Sequence, residues 1–474
     1  MHFLKITTRA ILFILFFSGP LHGQQPWSLQ DCIEYALENN IQIKQQQLGV
    51  EIARENLLQS KASRYPSLNA SASHFYNFGR TVDPFTNEFA TESVQSNNFN
   101  ISSGMTLFSG FQILNSVRQN MLELEASNYD VEAMGNDISL AVASAYLQIL
   151  FSIELVDIAA NQLEITTQQV QRTSRMVEAG TLARGNLLTM EAQAATEELQ
   201  LVNAENNLEM AYLDLIQLLD LESMEGFSIQ VPDIQVDPDA DHLYSPMHVY
   251  DRAVKSQPEV LSADMRVLSA ERGVDIAKGA RSPMLSLRGT YGTGYSGASQ
   301  EVTDIIPGDP VQIGQTPSGE PVFGPSFDYE TRVKPFMDQL NDNLNRSIGL
   351  SLSIPIFNNF QVRSSVGRSK ISLENTRLSN QQVRNQLFKT IQQSHADAQA
   401  ALKRHDALIK NVSALEESFR YTEQRFNVGM IATLEYNDSK NRLTAAQSEL
   451  LQAKYEYLFR RQILEFYMGN PLRF

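Results

Sequence analysis

The sequence predicts a mainly α-helical chain that also carries β-strands of membrane type, with one structural unit of two strands and a long helical hairpin written twice. Three observations lead there. Short motifs recur in the same order in both halves of the 474 residues. Four runs alternate apolar and polar side chains. Two stretches, 112–221 and 361–469, contain no proline and few glycines and are rich in Gln, Glu, Leu and Ala.

The duplication comes first because everything else is placed by it. "KASRYPSLNAS" (61–71) is answered by "KGARSPMLSLR" (278–288), so Lys61, Arg64, Pro66 and Leu68 recur at an offset of 217. The same offset pairs Ala36 with Ala253, Ile43 with Val260 and Ala53 with Ala270. Both stretches are helical in pattern and stop at the proline, whose ring clashes with the preceding turn and which lacks an N–H. Further on the offset becomes 249: "LFSGF" (107–111) answers "IFNNF" (356–360), and Gly180 in "VEAGTLA" answers Gly429 in "NVGMIAT". The second half therefore holds an insertion of 32 residues between its matched blocks. It lies around 297–346, and its Pro, Gly and Asp content predicts a loop.

Residues 1–23 differ in kind. Lys5 and Arg9 precede the apolar run "AILFILFF" and the small-residue segment "SGPLHG". This order predicts a secretory signal peptide cut near Gly23. A lipoprotein would carry a cysteine directly after the apolar run. Cys32, the single cysteine, comes later and is expected as a buried helix residue, so the chain is expected not to be a lipoprotein. No later apolar run approaches the roughly 18–20 residues of a membrane helix. The exported chain is then soluble or enters a membrane through strands. The net charge of −16 argues against a nucleic-acid partner.

The strands are expected at about 67–78, 98–108, 284–295 and 347–357. In the first, Leu68, Ala70, Ala72 and Tyr76 share a face opposite Asn69, Ser71, Ser73 and Asn77. In the second, Phe99, Ile101, Met105 and Leu107 oppose Asn98, Asn100, Ser102 and Thr106. In the third, Leu285, Leu287 and Tyr291 oppose Ser286, Arg288 and Thr290. In the fourth, Ile348, Leu350 and Leu352 oppose Ser347, Gly349 and Ser351. A period of two marks a strand with one apolar face, and each run has about the length a tilted strand needs to cross a bilayer. Four strands cannot close, and open edges are excluded from lipid because unpaired backbone groups cost several kcal/mol each. Spanning strands require several chains in one barrel; three copies would supply twelve.

The helical stretches are each interrupted once, at Gly180 and at Gly429. Each reads as two antiparallel helices of up to about 60 residues, on the order of 90 Å, joined by a tight turn. Val131, Met134, Ile138, Val142, Ala145, Ile149 and Ile153 step by 3, 4, 4, which suits nearly straight helices. Toward the turn, Leu163, Val170 and Val177 step by seven, as do Val412, Phe419 and Phe426, which predicts left-handed supercoiling.

With these elements in order, the sequence resembles the TolC-like outer membrane efflux proteins over essentially the whole chain after the signal. The carriers are the duplicated R-x-P-x-L strand entry, the "LFSGF" corner and the paired turns "VEAGTLA" and "NVGMIAT". The resemblance implies a homotrimer, with a twelve-stranded β-barrel in the outer membrane of a Gram-negative bacterium continuing into a twelve-helix periplasmic α-barrel. It implies a passive exit duct for small molecules or proteins in a tripartite efflux or type I secretion system. The implied partners are a periplasmic adaptor (membrane fusion) protein, an inner-membrane transporter of RND, ABC or MFS type, and outer membrane lipid. On that basis the chain divides into a first repeat at 24–221, an equatorial linker at 222–246 and a second repeat at 247–474. Glu435 and Asp438, three apart and so on one helix face, fall where the family narrows its periplasmic mouth; the matching first-half positions, Asn186 and Thr189, carry no charge. Gly180, Thr181, Leu182, Gly429, Met430 and Ile431 fall where the family meets its adaptor.

No catalytic chemistry is legible. "GTGYSG" (292–297) does not open a helix, so phosphate binding is rejected. No H-E-x-x-H, G-x-S-x-G or S-x-x-K pattern occurs and the seven histidines form no helical pair, so no enzyme, cofactor or metal is expected. The alternative function is a soluble periplasmic coiled-coil scaffold.

Overall fold

A computed structural model describes residues 26–83, 85–90, 93–232 and 244–473. The expected signal segment and the linker run "DPDAD" lie outside the described residues. The chain folds as two compact units: a helical one (residues up to Arg54, Leu122–Val267 and Asn375–Phe474) and a strand-bearing one (Glu55–Met121 and Leu268–Glu374).

In the strand-bearing unit, β1 (Ser67–Asn77), β4 (Val94–Ser109), β5 (Met284–Ser296) and β8 (Asn345–Ser353) form one antiparallel sheet in the order β1-β4-β5-β8. Two-residue strands β2 (Thr81–Val82) and β3 (Phe89–Ala90) pair in the β1–β4 connection. The register gathers the apolar positions of all four strands on one face. Ala70, Ile101 and Tyr291 lie in one row, and Met105, Leu287 and Leu350 in another. The opposite face aligns Ser71, Asn100, Gly292 and Asn345, then Asn69, Ser102, Thr290 and Ser347. A bulge between Thr106 and Phe108 changes one expected position: Phe108, not Leu107, lies opposite Leu285. The fourth strand ends at Ser353, before the expected 357, because Pro355 cannot donate to a ladder.

The insertion is not a loop. It folds into a hairpin of β6 (Gln300–Gln315) and β7 (Pro321–Val333), followed by a short helix α7 (Phe336–Asp342). Its prolines misled the composition reading. They are tolerated because both strands are edges and β6 carries every bulge, at Val302/Asp304, Gly308/Val311 and Gln312/Gly314.

Helices α1 (Leu29–Asn39) and α2 (Ile41–Ala62) precede β1, and α5 (Pro246–Ser256) and α6 (Pro258–Gly279) precede β5. Both pairs break at matched positions, Asn40 and Gln257, where the backbone turns extended (ψ 130° and 126°). Ser28 caps α1 reciprocally with Asp31, and Ser245 caps α5. The long hairpins are α3 (Gln112–Glu178) with α4 (Arg184–Leu219), and α8 (Gln361–Asn427) with α9 (Thr433–Tyr467). Their outgoing arms have 67 residues each, longer than the bound of about 60 expected, and their return arms only 36 and 35. Leu219 is followed by a left-handed cap at Asp220 that ends α4. There α1 takes over as the partner of α3: Asn40 Nδ2 donates to the Leu218 carbonyl at 2.9 Å. Cys32, Ile33, Ala36 and Ile43 share one core with Ile138, Val142, Tyr146, Ile149 and Leu150 of α3 and Leu215 and Leu219 of α4. The buried Cys32 thiol is pushed up to about 12 by loss of water.

Part of α3 corrects a further expectation. An 18-residue window of this helix is apolar and uncharged enough to pass as a membrane span. Half of it is buried within the protein, in the core just described, so packing against α1 and α4 accounts for its composition.

Each long helix is entered through a left-handed corner, Gly110–Phe111 and then Asn359–Phe360, all with φ between 50° and 62°. Gly110 is irreplaceable on space alone, since a Cβ there would sit 2.3 Å from the Gly279 carbonyl oxygen.

Candidate functional site at the hairpin tips

Both tips close by the same local chemistry. Gly180 (φ +75°) follows the last turn of α3, with Gly180 N–H donating to the Val177 carbonyl and Thr181 N–H to the Met176 carbonyl. Gly429 (φ +78°) repeats this, its N–H donating to the Phe426 carbonyl and that of Met430 to the Arg425 carbonyl. These are glycine C-caps that satisfy the last carbonyls of a helix. The Thr181 hydroxyl also donates to the Met176 carbonyl at 2.8 Å.

The two tips lie side by side. Arg172 donates to Asn427 Oδ1 at 2.6 Å and to its carbonyl at 3.1 Å. Between the tips lies a groove of about 370 Å³ whose walls include Met176, Leu182, Gly429, Met430 and Ile431. Four of the six expected contact residues are thus brought together by the fold, while Gly180 and Thr181 shape the neighbouring turn. Val428, Met430 and Leu434 are largely exposed.

Glu435 and Asp438 both sit on the exposed side of α9, and each faces a cation of its own chain. Arg425 Nη1 lies 3.3 Å from Glu435, and Arg442 Nη2 lies 3.0 Å from Asp438. Both carboxylates are therefore partly neutralised within the chain. Asn186 accepts from the Thr433 hydroxyl at 3.3 Å, tying the two tips at the matched position. Thr189 bonds back to its own helix, at the Gly185 carbonyl.

The side chain that aims this face was missed by sequence reasoning. Lys440, 1% exposed, reaches from α9 across to the other hairpin. Its ammonium donates to both oxygens of Glu197 at 3.0 Å, to the Gln162 carbonyl at 2.7 Å and to the Thr166 hydroxyl. Burial pulls the lysine below its ordinary value, against the opposing pull of Glu197. Thr433, Tyr436, Asn437 and Lys440 form the buried stripe of α9 at helical spacing, so Glu435 and Asp438 are turned outward. Tyr436 stacks on Phe426 with ring centroids 4.6 Å apart. The buried positions of the facing α3 include Thr166, Gln169 and Thr173, while Leu163, Val170 and Val177 are only half-buried. A hydrophobic-period search passes over such a seam. The only signal available was Lys440 itself, a charge recurring on the otherwise uncharged side of its helix.

Among the described residues, no group of three or more His, Cys, Asp or Glu side chains could hold a metal ion.

Comparison with known proteins agrees with this architecture. The family model described as outer membrane efflux protein matches residues 32–220 and 249–470, leaving out the linker. The outer membrane efflux protein BepC of Brucella suis is 22% identical over 440 residues, covering 92% of this chain and 84% of that protein. The outer membrane protein TolC of Escherichia coli is 20% identical over 465 residues, covering 97% and 86%. The crystal structure of the outer membrane protein VceC of Vibrio cholerae superposes with a TM-score of 0.71 at 16% identity, covering 94% of this chain and 97% of that one. A duplicated strand-pair-and-hairpin unit, matched in both halves, belongs to one family: this chain is a member of the outer membrane efflux proteins.

Proposed function

We propose that three copies of the chain share one wall, a twelve-stranded barrel in the outer membrane continued by a twelve-helix periplasmic tunnel. The assembly is a passive exit duct of a tripartite efflux or type I secretion system. The observation that carries this reading is the four-stranded sheet with unpaired edges at β1 and β8 and an apolar face left in the open. Leu68, Ile348, Leu350 and Leu352 are each more than 60% exposed in the single chain. Lipid can cover that face, but only another copy can pair the edges. The soluble scaffold is not favoured, because it leaves both the edges and the apolar face in water. The tips, with Met430 and Leu434 exposed beside the groove, would receive a periplasmic adaptor that links the duct to an inner-membrane transporter. Glu435 and Asp438 would ring the periplasmic mouth and favour cations there.

Cysteine pairs placed along β1 and β8 test the assembly. Oxidation in isolated outer membranes should produce covalent dimers and trimers. Recovery of the wild-type protein as a detergent-free monomer, with no cross-link at any pair, ends the proposal.

A further inference from the structure

The β6–β7 hairpin is far longer than the two-residue β2–β3 pair at the matched place in the first half, and its two faces differ in charge and in aromatic content. Since every bulge falls on β6, β7 is an uninterrupted strand whose odd positions share one side. Phe323, Phe327, Tyr329 and Val333 line that side, with Ile305 opposite Tyr329 and Val302 opposite Thr331. All six apolar side chains are between 44% and 60% exposed. The other side sets Glu301 opposite Arg332, Asp304 opposite Glu330 and Ile306 opposite Asp328, and toward the turn it also carries Val311 and Val322, so all the charges of the paired positions and none of their aromatics lie there. Two carboxylates facing each other across a pair are tolerable only in water. The acidic side is thus the wet side, and the apolar side is the one to be covered.

The hairpin is not a loose arm. Its base is a buried polar knot. Gln339 of α7, 1% exposed, accepts from Ser296 N–H at 2.9 Å and donates to the carbonyls of Ser296 and Lys334 at 3.0 and 2.9 Å. The Ser296 hydroxyl meets the buried Asp83 carboxylate from the β1–β4 connection. Phe336 packs against Tyr295 and Phe99. A rigidly rooted apolar sheet face is thereby presented at the end of the barrel strands.

We infer that this face packs on a second copy of the chain, so that three hairpins form a collar joining the subunits beyond the barrel. The inference rests on the trimeric reading above. The hairpin leaves the sheet between β5 and β8, and β8 is the free edge at which a neighbour must dock, so the covered face continues the seam between copies. Edge-to-edge pairing of hairpins is blocked by Pro307 and Pro310 on β6, Pro321 and Pro325 on β7, and the three bulges. Face packing is what remains.

Single cysteines at neighbouring positions on opposite faces decide it. Phe327→Cys and Asp328→Cys, with Tyr329→Cys as a second probe of the apolar side, are treated with a membrane-impermeant maleimide as purified trimers in detergent; buried Cys32 is the internal blank. Expected is at least a tenfold slower labelling of Phe327→Cys and Tyr329→Cys than of Asp328→Cys, abolished when the trimer is dissociated. Equal labelling in intact trimers overturns the collar. Protection seen on cells but lost in intact purified trimers also overturns it, by showing that something other than a second copy covers the face. A parent protein that never migrates as a trimer sinks the assembly itself, and the collar with it.

Discussion

Removal of the Lys440 ammonium is the perturbation whose size the structure defines best. Lys440 and Glu197 are 1% and 3% exposed, and the ammonium makes four contacts to oxygen. Lys440→Met keeps the length and apolar stem but strands the Glu197 carboxylate in a dry seam, a loss of about 3–5 kcal/mol. Glu197→Gln leaves the cation partly solvated by amide, carbonyl and hydroxyl oxygens and should cost about 1–3 kcal/mol. Replacing both, Lys440→Met with Glu197→Leu, removes the two desolvation penalties together and should be neutral or even stabilising. An isolated buried carboxylate escapes its penalty by taking up a proton. The Lys440→Met loss should therefore shrink toward pH 5, by up to about 1.4 kcal/mol per pH unit. Urea unfolding followed by circular dichroism, with hydrogen exchange read over 433–447, measures all three variants. A Lys440→Met loss below about 1 kcal/mol, or a double variant no more stable than Lys440→Met alone, would refute the ion pair as the element that fixes the rotation of α9.

Other consequences are quicker to check. Replacing Glu435 and Asp438 by alanine should raise single-channel conductance or weaken cation block in planar bilayers. Arg425→Ala with Arg442→Ala should strengthen cation block by baring the same carboxylates; as exposed pairs, none should change stability by more than about 1 kcal/mol. Currents unchanged in both sets would remove the entrance assignment. Gly110→Ala should reduce folded protein severely, whereas Gly180→Ala, with nothing within 4 Å of the added carbon, should cost only the left-handed penalty of about 1–2 kcal/mol. Gln339→Leu should expose 300–333 to proteolysis and leave the four-stranded sheet intact, since it strands two carbonyls and an N–H at about 1–3 kcal/mol each. Ser28→Ala should loosen α1 by about 1 kcal/mol. The Asp31 carboxyl is held below its ordinary value by the Ser28 hydroxyl and N–H, so the part of this difference carried by the carboxylate should be full above about pH 4 and lost as pH falls through the lowered value, leaving the part from the Asp31 N–H donated to the Ser28 hydroxyl. Hydrogen exchange that is the same in both proteins at pH 6 would contradict the cap.

The amino-acid order alone determined the duplication, the strand pairs and the hairpin turns, because each rests on a local rule: proline stops a helix, period two makes a strand, and glycine takes a positive φ. It also placed Glu435 and Asp438 together, since helical spacing needs no partner to be read. Arg442, which faces Asp438 from four residues on, is equally local, whereas only the tertiary structure decided the other partners. Arg425 lies ten residues before Glu435, across a turn, and Lys440 finds Glu197 243 residues away. The insertion was misread for a similar reason. Its prolines and glycines are those of a loop, and the alternation of Phe323, Phe327 and Tyr329 acquires meaning only when β6 takes up all the irregularity and leaves β7 straight. Local preference is written residue by residue, whereas a buried charge or an apolar hairpin face is defined by whichever distant groups the folded chain, or its neighbouring copy, brings against it.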